Sequence, residues 1–297
     1  MKTKAPLGAS LVVLSSFFYA SYGIWTKLMG NFFDGYTASA FRSILVVAIL
    51  LIIAIKLKSF EPLKLRQNWH WLTGMLIASL FTWGPLYYAI LHAGVGISLS
   101  IAYASIVIGM FLFGRLFAKE KFTKDKALSA LMGIVGLVLI FSPSVHSFGL
   151  IALVAALASG LSSAANNVFA KRIHYKTTQS TLVLWTASII ANLIMAAIFA
   201  KSWQSFAWHI QWLYLVIFAL ASVIASWSFI RGVKLIEAGA AGILGLLEIV
   251  FGVLFGVIFF SERLGIIVLL GITVIIVAAA VPYVKDYNAK HGTLDPE

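Results

Sequence analysis

The sequence predicts an all-α polytopic membrane protein, with ten transmembrane helices arranged as two inverted five-helix repeats. Three observations lead to this prediction: an apolar composition, a series of apolar segments of bilayer length, and an internal repeat. Of the 297 residues, 61% are hydrophobic and only 11% are charged, and the mean hydropathy is +0.99. A soluble chain of this length could not bury so much apolar side chain, because much of its surface must face water.

Ten segments satisfy the transmembrane criterion of about 17–25 mostly apolar residues. The first segment is too long for the core of a signal peptide and has no clear small-residue cleavage site, so we expect it to be retained. The fifth is the shortest and begins beside a charged stretch. The predicted spans are Leu7–Met29, Tyr36–Ile55, Trp71–Leu91, Val95–Phe113, Ala127–Phe141, Phe148–Ala170, Thr181–Ala200, Ile210–Ile230, Ala238–Phe260 and Leu264–Val284.

The positions of lysine and arginine predict the orientation of the spans. If the N-terminus is cytoplasmic, 18 of the 22 basic residues fall on the cytoplasmic side. The outer side keeps Lys27, Lys201 and Arg263, while Arg42 lies inside the second span. By the positive-inside rule, both termini are predicted to be cytoplasmic. This distribution also accounts for the net charge of +12 without a nucleic-acid partner.

An internal repeat relates residues 93–121 to residues 238–264. Each stretch begins with small residues, continues as an apolar span rich in glycine and phenylalanine, and ends in a glutamate followed by a base. The two acids, Glu120 and Glu262, stand 142 positions apart and are predicted to cap helix ends or to form a gate contact. Because each half has five spans, an odd number, the second half must insert upside down relative to the first. This arrangement is typical of secondary transporters. The predicted repeats are residues 1–145 and, with a short cytoplasmic tail, residues 146–297.

Glu248 is the one carboxylate near the middle of a long apolar segment, Ala238–Phe260. Insertion scales place the cost of an acid at the centre of a membrane helix at roughly +2.5 to +3.5 kcal/mol, and such residues usually mark a substrate, ion or proton path. The residue is therefore predicted to be a protonatable group or an anchor for an ammonium-bearing solute. The alternative is a buried structural acid, neutral or paired with Arg42 or an asparagine.

Small residues surround this acid along its helix. Gly245 and Gly252 share its face, which predicts that Glu248 points into the protein rather than toward lipid. Gly252 and Gly256 form a pair at the spacing that lets another helix approach closely.

Two basic residues lie within or beside the spans of the first half. Arg42 sits about two turns inside the second span, where a guanidinium can bind a carboxylate through two parallel hydrogen bonds. The alternative is that its side chain extends outward to the interface and only positions the helix. For Lys27, which is nearer the outer interface, we favour outward extension over a role in binding.

Asparagine and serine form a polar stripe in the sixth span. Asn166 lies on the same helix face as Ser162 and Ser163. Such a stripe either lines a hydrated cavity or bonds neighbouring helices, and both interpretations stay open.

Four aromatic residues are candidates for contact with a solute: Tyr22, Trp83, Tyr87 and Tyr103. Pro85 predicts a kink near two of them, because proline removes a backbone donor from its helix. Aromatic faces on interior helices can hold a solute by stacking or by cation–π contact. Most membrane aromatics, however, face lipid or form interfacial belts.

The ninth span carries the strongest resemblance to a known family. It reads Leu246-Leu247-Glu248-Ile249-Val250 and ends in Ser261-Glu262-Arg263. This is similar to the ninth span of EamA-type members of the drug/metabolite transporter superfamily, where proline is usual at the position of Ile249 and glycine at that of Ser261. Without the proline, the ninth helix is expected to be straighter than in the family.

The resemblance implies what the protein does. Members of this superfamily move small organic metabolites, such as amino acids or amphipathic drugs, by alternating access, often as exporters, across the bacterial cytoplasmic (inner) membrane. The resemblance also implies a central cavity lined by the first, third, fourth, sixth, eighth and ninth spans. The expected partners are a small-molecule solute, the lipid bilayer and, if Glu248 titrates during transport, protons. Both a monomer and a homodimer are compatible with the sequence.

Two other classes of protein compete with a carrier. An intramembrane enzyme needs a nucleophile with a base, a metal cluster or paired carboxylates. All six histidines fall in loops or at span ends and only one acid is mid-span, so we expect no enzyme, no cofactor and no metal. A channel would need an ordered ring of carbonyls or charges, which one glutamate and one arginine supply only if several subunits assemble.

Overall fold

The computed structural model describes residues 4–62, 64–142, 149–206 and 208–291, with side chains described as far as residue 281. The predicted boundary between the repeats, at residues 145 and 146, lies outside the described residues. Within the described ranges the chain forms helices and no strand. The helices are α1 (Ala5–Ala20), α2 (Tyr22–Met29), α3 (Gly35–Lys56), α4 (Leu65–Leu80), α5 (Trp83–Ala93), α6 (Val95–Ala118), α7 (Lys124–Phe141), α8 (Leu150–Arg172), α9 (Thr177–Phe199), α10 (Ile210–Val233), α11 (Ala238–Gly245), α12 (Leu247–Phe260) and α13 (Ile266–His291).

These helices correspond to the ten predicted spans. Eight continuous or nearly continuous helical segments are long and apolar enough to cross a membrane by length and composition. The fifth and tenth spans are α7, whose first turn carries three charged residues, and α13, whose apolar part covers Ile266–Val281. Spans one, three and nine each consist of two helices, α1–α2, α4–α5 and α11–α12. The all-helical membrane fold is therefore confirmed.

Local side-chain bonds accompany the breaks in the first and third spans. At the first break, Ser21 Oγ donates to the Phe18 carbonyl at 2.6 Å and accepts from Trp25 Nε1 at 3.2 Å. The third span breaks at Phe81 and Thr82. This break lies just before Pro85, as the missing proline donor predicts.

The ninth span is also broken, and the prediction of a straighter helix is wrong. The amide of Leu246 donates to the Ile243 carbonyl at 3.1 Å, and the amide of Ile249 donates to the Leu246 carbonyl at 3.0 Å. These tight three-residue bonds replace the usual four-residue pattern, so the turn needs no proline. The break places Glu248 in the first turn of α12, where the positive end of the helix dipole favours a carboxylate.

The two halves of the chain interleave in space. Helix α8 from the second half packs mainly against α4, α5 and α6 from the first half. In the same way, α1 from the first half packs against α10, α11 and α12 from the second half. Two further large interfaces pair equivalent spans, α3 with α9 and α7 with α13. Each half thus contributes its first span to the other half.

Glycines allow the closest helix approaches. A Cβ atom at Gly160 of α8 would overlap the Ala102 carbonyl oxygen of α6. A Cβ atom at Gly271 of α13 would lie 2.7 Å from the carbonyl oxygen of Gly136 in α7. At Gly252, by contrast, no atom lies within 4 Å of such a Cβ. The predicted close helix contact at Gly252 is therefore wrong; the packed glycines of the ninth span are Gly239 and Gly242 in α11, which face Phe111 and Met110 of α6.

We expect Gly160→Ala to lower the free energy of unfolding by about 1–3 kcal/mol, because the added methyl group must push α8 away from the α6 backbone. Gly252→Ala is the matched control, since its methyl group meets open space. Thermal unfolding of both variants in detergent measures the difference. Equal melting temperatures for the two variants would contradict the close approach of α6 and α8.

Candidate functional site

A hydrogen bond between Tyr103 and Glu248 joins the fourth and ninth spans. The Tyr103 hydroxyl, on α6, donates to the carboxylate of Glu248, on α12. The glutamate side chain is half-buried, and Leu246, Ile249 and Val250 pack into an apolar core beside it. The acid predicted to lie mid-span therefore faces the interior, and its described partner is a tyrosine rather than Arg42 or an asparagine.

The guanidinium of Arg42 is buried among aromatic rings. The residue is only 3% exposed, so the alternative of a side chain extending outward to the interface is wrong. Four ring centroids lie 4.5–5.7 Å from its Cζ atom, and they come from four different spans. The rings belong to Tyr22, Trp83, Trp185 and Phe218. Ring faces attract a cation, which offsets part of the cost of burying it.

Two hydrogen-bonding nitrogen atoms of Arg42 are unused among the described residues. Its Nε and Nη2 atoms are buried and have no hydrogen-bond partner among the described residues. Arginine stays charged in proteins. A buried charge without a partner is costly, so unpaired guanidinium donors are unusual in a protein interior. The arrangement can therefore accept an anionic group from outside the chain.

Tyr19 and Tyr22 of the first span extend the aromatic surroundings of Arg42. The Tyr22 ring centroid lies 5.1 Å from the Arg42 Cζ atom. The rings of Tyr19 and Tyr22 meet edge to face at 5.2 Å, and the ring of Tyr22 also meets Phe218 at 4.5 Å. The first span thus adds two aromatic rings to the arginine site.

Asn166 bonds neighbouring helices. Its Nδ2 atom donates to Ser79 Oγ and to Thr82 Oγ1, both at 3.3 Å. About two turns earlier on α8, Ser159 Oγ donates to the Thr82 carbonyl at 2.6 Å. These bonds satisfy polar groups at the break between α4 and α5. Of the two open interpretations, the contacts support helix bonding.

Two predicted residues lie away from the charged pair. The ring of Tyr87 packs edge-on against Tyr36 at 4.7 Å and occupies the space beside Gly35. Lys27 reaches the C-terminal end of the ninth span, where its Nζ atom lies 2.9 Å from Glu262 and 4.0 Å from a phenylalanine ring centroid. Tyr22, Trp83 and Tyr103 are brought together with Arg42 or Glu248, whereas Tyr87 and Lys27 are not.

Phe218 and Lys171 were not predicted from the sequence. Phe218 contacts Arg42, but it is one of 22 phenylalanines, and nothing in its sequence context distinguishes it. Lys171 forms an ion pair with Glu120 at 2.6 Å. This lysine stands 144 positions after Lys27, close to the interval between the two repeat glutamates, so the repeat could have identified it.

Comparison with known proteins agrees with this architecture. The model of the EamA-like transporter family matches residues 6–142 and again residues 150–283, once in each half. The chain belongs to the EamA-like transporter family. The resemblance found in the ninth span is therefore confirmed, and the protein is a member of a family of membrane transporters.

Two relatives of this EamA-like transporter come from Helicobacter pylori, strains J99 / ATCC 700824 and ATCC 700392 / 26695, and both are described as uncharacterized transporters. Each is 27% identical over 164 residues, which is 54% of this chain and 54% of the relative. The match thus spans about half the length of these relatives. A solved crystal structure superposes with a TM-score of 0.81 at 17% identity, over 93% of this chain and 97% of that one, which supports the fold alone.

If Asn166 bonds helices, Asn166→Ala will lower the free energy of unfolding by roughly 1 kcal/mol, because it leaves the hydroxyls of Ser79 and Thr82 without their donor. Asn167→Ala, one position along α8 at a half-buried site, is the control. Thermal unfolding gives the stability, and solute titration gives the affinity. An Asn166→Ala protein with unchanged stability and weakened solute binding would refute the structural role.

Proposed function

We propose that this EamA-like transporter is a secondary carrier that exports small organic solutes across the bacterial cytoplasmic membrane by alternating access, with both termini cytoplasmic. One observation supports this above all. Glu248 and Arg42 are opposite charges in the middle of the helix bundle, yet no ion pair joins them among the described residues. A solute that enters between them can provide each of the two residues with a partner of opposite charge.

Glu248 is proposed to couple solute or proton binding to helix movement. Its bond to Tyr103 links α12 to α6, which belong to different halves of the chain. Protonation removes the negative charge that strengthens this hydrogen bond, and a solute ammonium competes with the tyrosine for the same oxygen atoms. Either event weakens a link between the fourth and ninth spans, so binding at the acid and separation of the two spans occur together.

Arg42 is proposed to bind the carboxylate of the solute. Its planar guanidinium can pair both carboxylate oxygens at once, and two of its nitrogen atoms have no protein partner among the described residues. The rings of Tyr22, Trp83 and Phe218 exclude water there and present faces for stacking. The favoured solutes therefore carry a carboxylate on an apolar or aromatic body, which includes amino acids and amphipathic drugs.

Glu248→Gln is expected to abolish concentrative transport driven by a pH gradient while leaving expression intact, because the amide cannot take up a proton. Uptake into proteoliposomes with an imposed pH gradient measures coupling. Counterflow measures binding and alternation without a coupling ion. Glu61→Gln, in the loop between α3 and α4, is the matched control. Unchanged concentrative transport in Glu248→Gln would remove this acid from the mechanism.

Arg42→Met is expected to leave thermal stability unchanged or raised, because an apolar side chain of similar length removes the cost of a buried charge. The same variant should lose on the order of tenfold or more in counterflow of carboxylate-bearing solutes, since it forfeits a charge-assisted bidentate contact. Arg42→Lys keeps the charge without the planar fork, so an intermediate loss is expected. Lost stability together with normal counterflow would show that Arg42 is structural.

A further inference from the structure

Helices α6 and α12 end in the same unusual turn. Lys119 and Ser261 both adopt the left-handed conformation, with φ of 55° and 54°. The next residue in each case is a glutamate whose amide donates back to a glycine carbonyl, at 3.1 Å for Glu120 and 3.2 Å for Glu262. Side chains other than glycine pay a cost for this conformation, so its occurrence at equivalent positions of both repeats indicates a shared purpose.

A glycine beneath each turn lets the glutamate fold back along its helix. A Cβ atom at Gly114 would lie 2.7 Å from a carboxylate oxygen of Glu120, and one at Gly256 would overlap the carboxylate of Glu262. The glycines fix where the two acids point. Because the second repeat is inverted, the acids point along opposite membrane faces.

On the inner face, Glu120 joins three spans. Its carboxylate accepts hydrogen bonds of 2.8 and 2.9 Å from the amide of Ala238, the first residue of α11. It also accepts from Lys171 Nζ at 2.6 Å, and this lysine donates in turn to the Ile236 carbonyl at 2.7 Å. The side chains of the ion pair are only 18% and 13% exposed. The inner ends of spans four, six and nine are thus held together.

On the outer face, the equivalent set is incomplete. Glu262 pairs with Lys27, the repeat counterpart of Lys171, at 2.9 Å. These two side chains are 54% and 52% exposed. By position at the start of its helix, the counterpart of Ala238 is Val95, the first residue of α6, and its side chain is 57% exposed. Among the described residues, Glu262 bonds Lys27 and no hydrogen bond joins its carboxylate to the Val95 amide, so the outer cap is not formed.

We propose that Glu120 and Glu262 are alternating caps that hold the two end states of the transport cycle, an inference that rests on the proposed alternating access. In the conformation described here, Glu120 caps the start of α11 and closes the inner face. In the opposite conformation, Glu262 and Lys27 cap the start of α6 and close the outer face, while Glu120 releases α11. A carboxylate is favoured at a helix N-terminus. In each state only one of the two glutamates caps a helix start, Glu120 that of α11 or Glu262 that of α6.

Spin-label distances can test the alternation directly, because the chain has no cysteine to remove. One labelled pair, Val95→Cys with Arg263→Cys, reports the outer face. A second pair, Lys121→Cys with Arg231→Cys, reports the inner face. All four side chains are exposed, and none makes the proposed cap contacts. Double electron–electron resonance then gives the population of each state without any solute.

The two caps should act in opposite directions. Glu120→Gln is expected to shift the population on the order of tenfold toward a short outer and a long inner distance, because charge-assisted hydrogen bonds are lost from one state only. Glu262→Gln is expected to reduce the population of molecules with the short outer distance. Lys171→Gln removes the other side of the inner ion pair and should reproduce the effect of Glu120→Gln, should that variant fold poorly.

Glu61→Gln is again the matched control and should leave both distance distributions unchanged. Shifts in the same direction for Glu120→Gln and Glu262→Gln, or shifts no larger than the control, would overturn the inference. The proposed function is tested separately, since counterflow does not depend on the caps being the residues that alternate. If the protein shows counterflow but the label distances do not shift, only the cap proposal is refuted. If the label distances shift but no carboxylate-bearing solute gives counterflow, only the proposed substrate class is refuted.

Discussion

A bilayer core offers no water to satisfy a polar group, and this constraint determines how each interruption of a helix is built. Where the third span breaks, Ser159 and Asn166 of α8 supply the bonds that the backbone and hydroxyl of Thr82 require. Where α6 ends, the carboxylate of Glu120 takes up the free amide of α11. These polar contacts therefore lie at helix breaks and helix ends, and these are also the places where helices can move.

Composition and periodicity predicted the helical membrane fold because they depend on how much apolar surface each segment must bury. The break at Pro85 was predictable for a local reason, the missing amide. The break at Leu246 was not, because it arises from a tight turn of two short hydrogen bonds that no residue type demands. Sequence thus predicts which segments cross the membrane better than where they bend.

The candidate site was predicted only in part. A mid-span acid and a buried arginine are costly enough to be noticed in the sequence, so Glu248 and Arg42 were identified. Their surroundings depend on contacts between residues far apart in the chain. The ring of Phe218 reaches Arg42 across 176 positions, and Tyr103 reaches Glu248 across 145. Such pairings are set by helix packing, which a single sequence does not specify.

The interleaving of the two halves has a consequence for biosynthesis. Helix α1 is synthesised well before its packing partners α10, α11 and α12. Until then, the small and polar residues on its inner side, such as Ser15 and Ser16, have no final neighbours. Insertion of the helices can proceed along the chain, but assembly must wait for the final spans. A ribosome that stalls after the fifth span would therefore release an inserted but unassembled half, a natural substrate for membrane quality control.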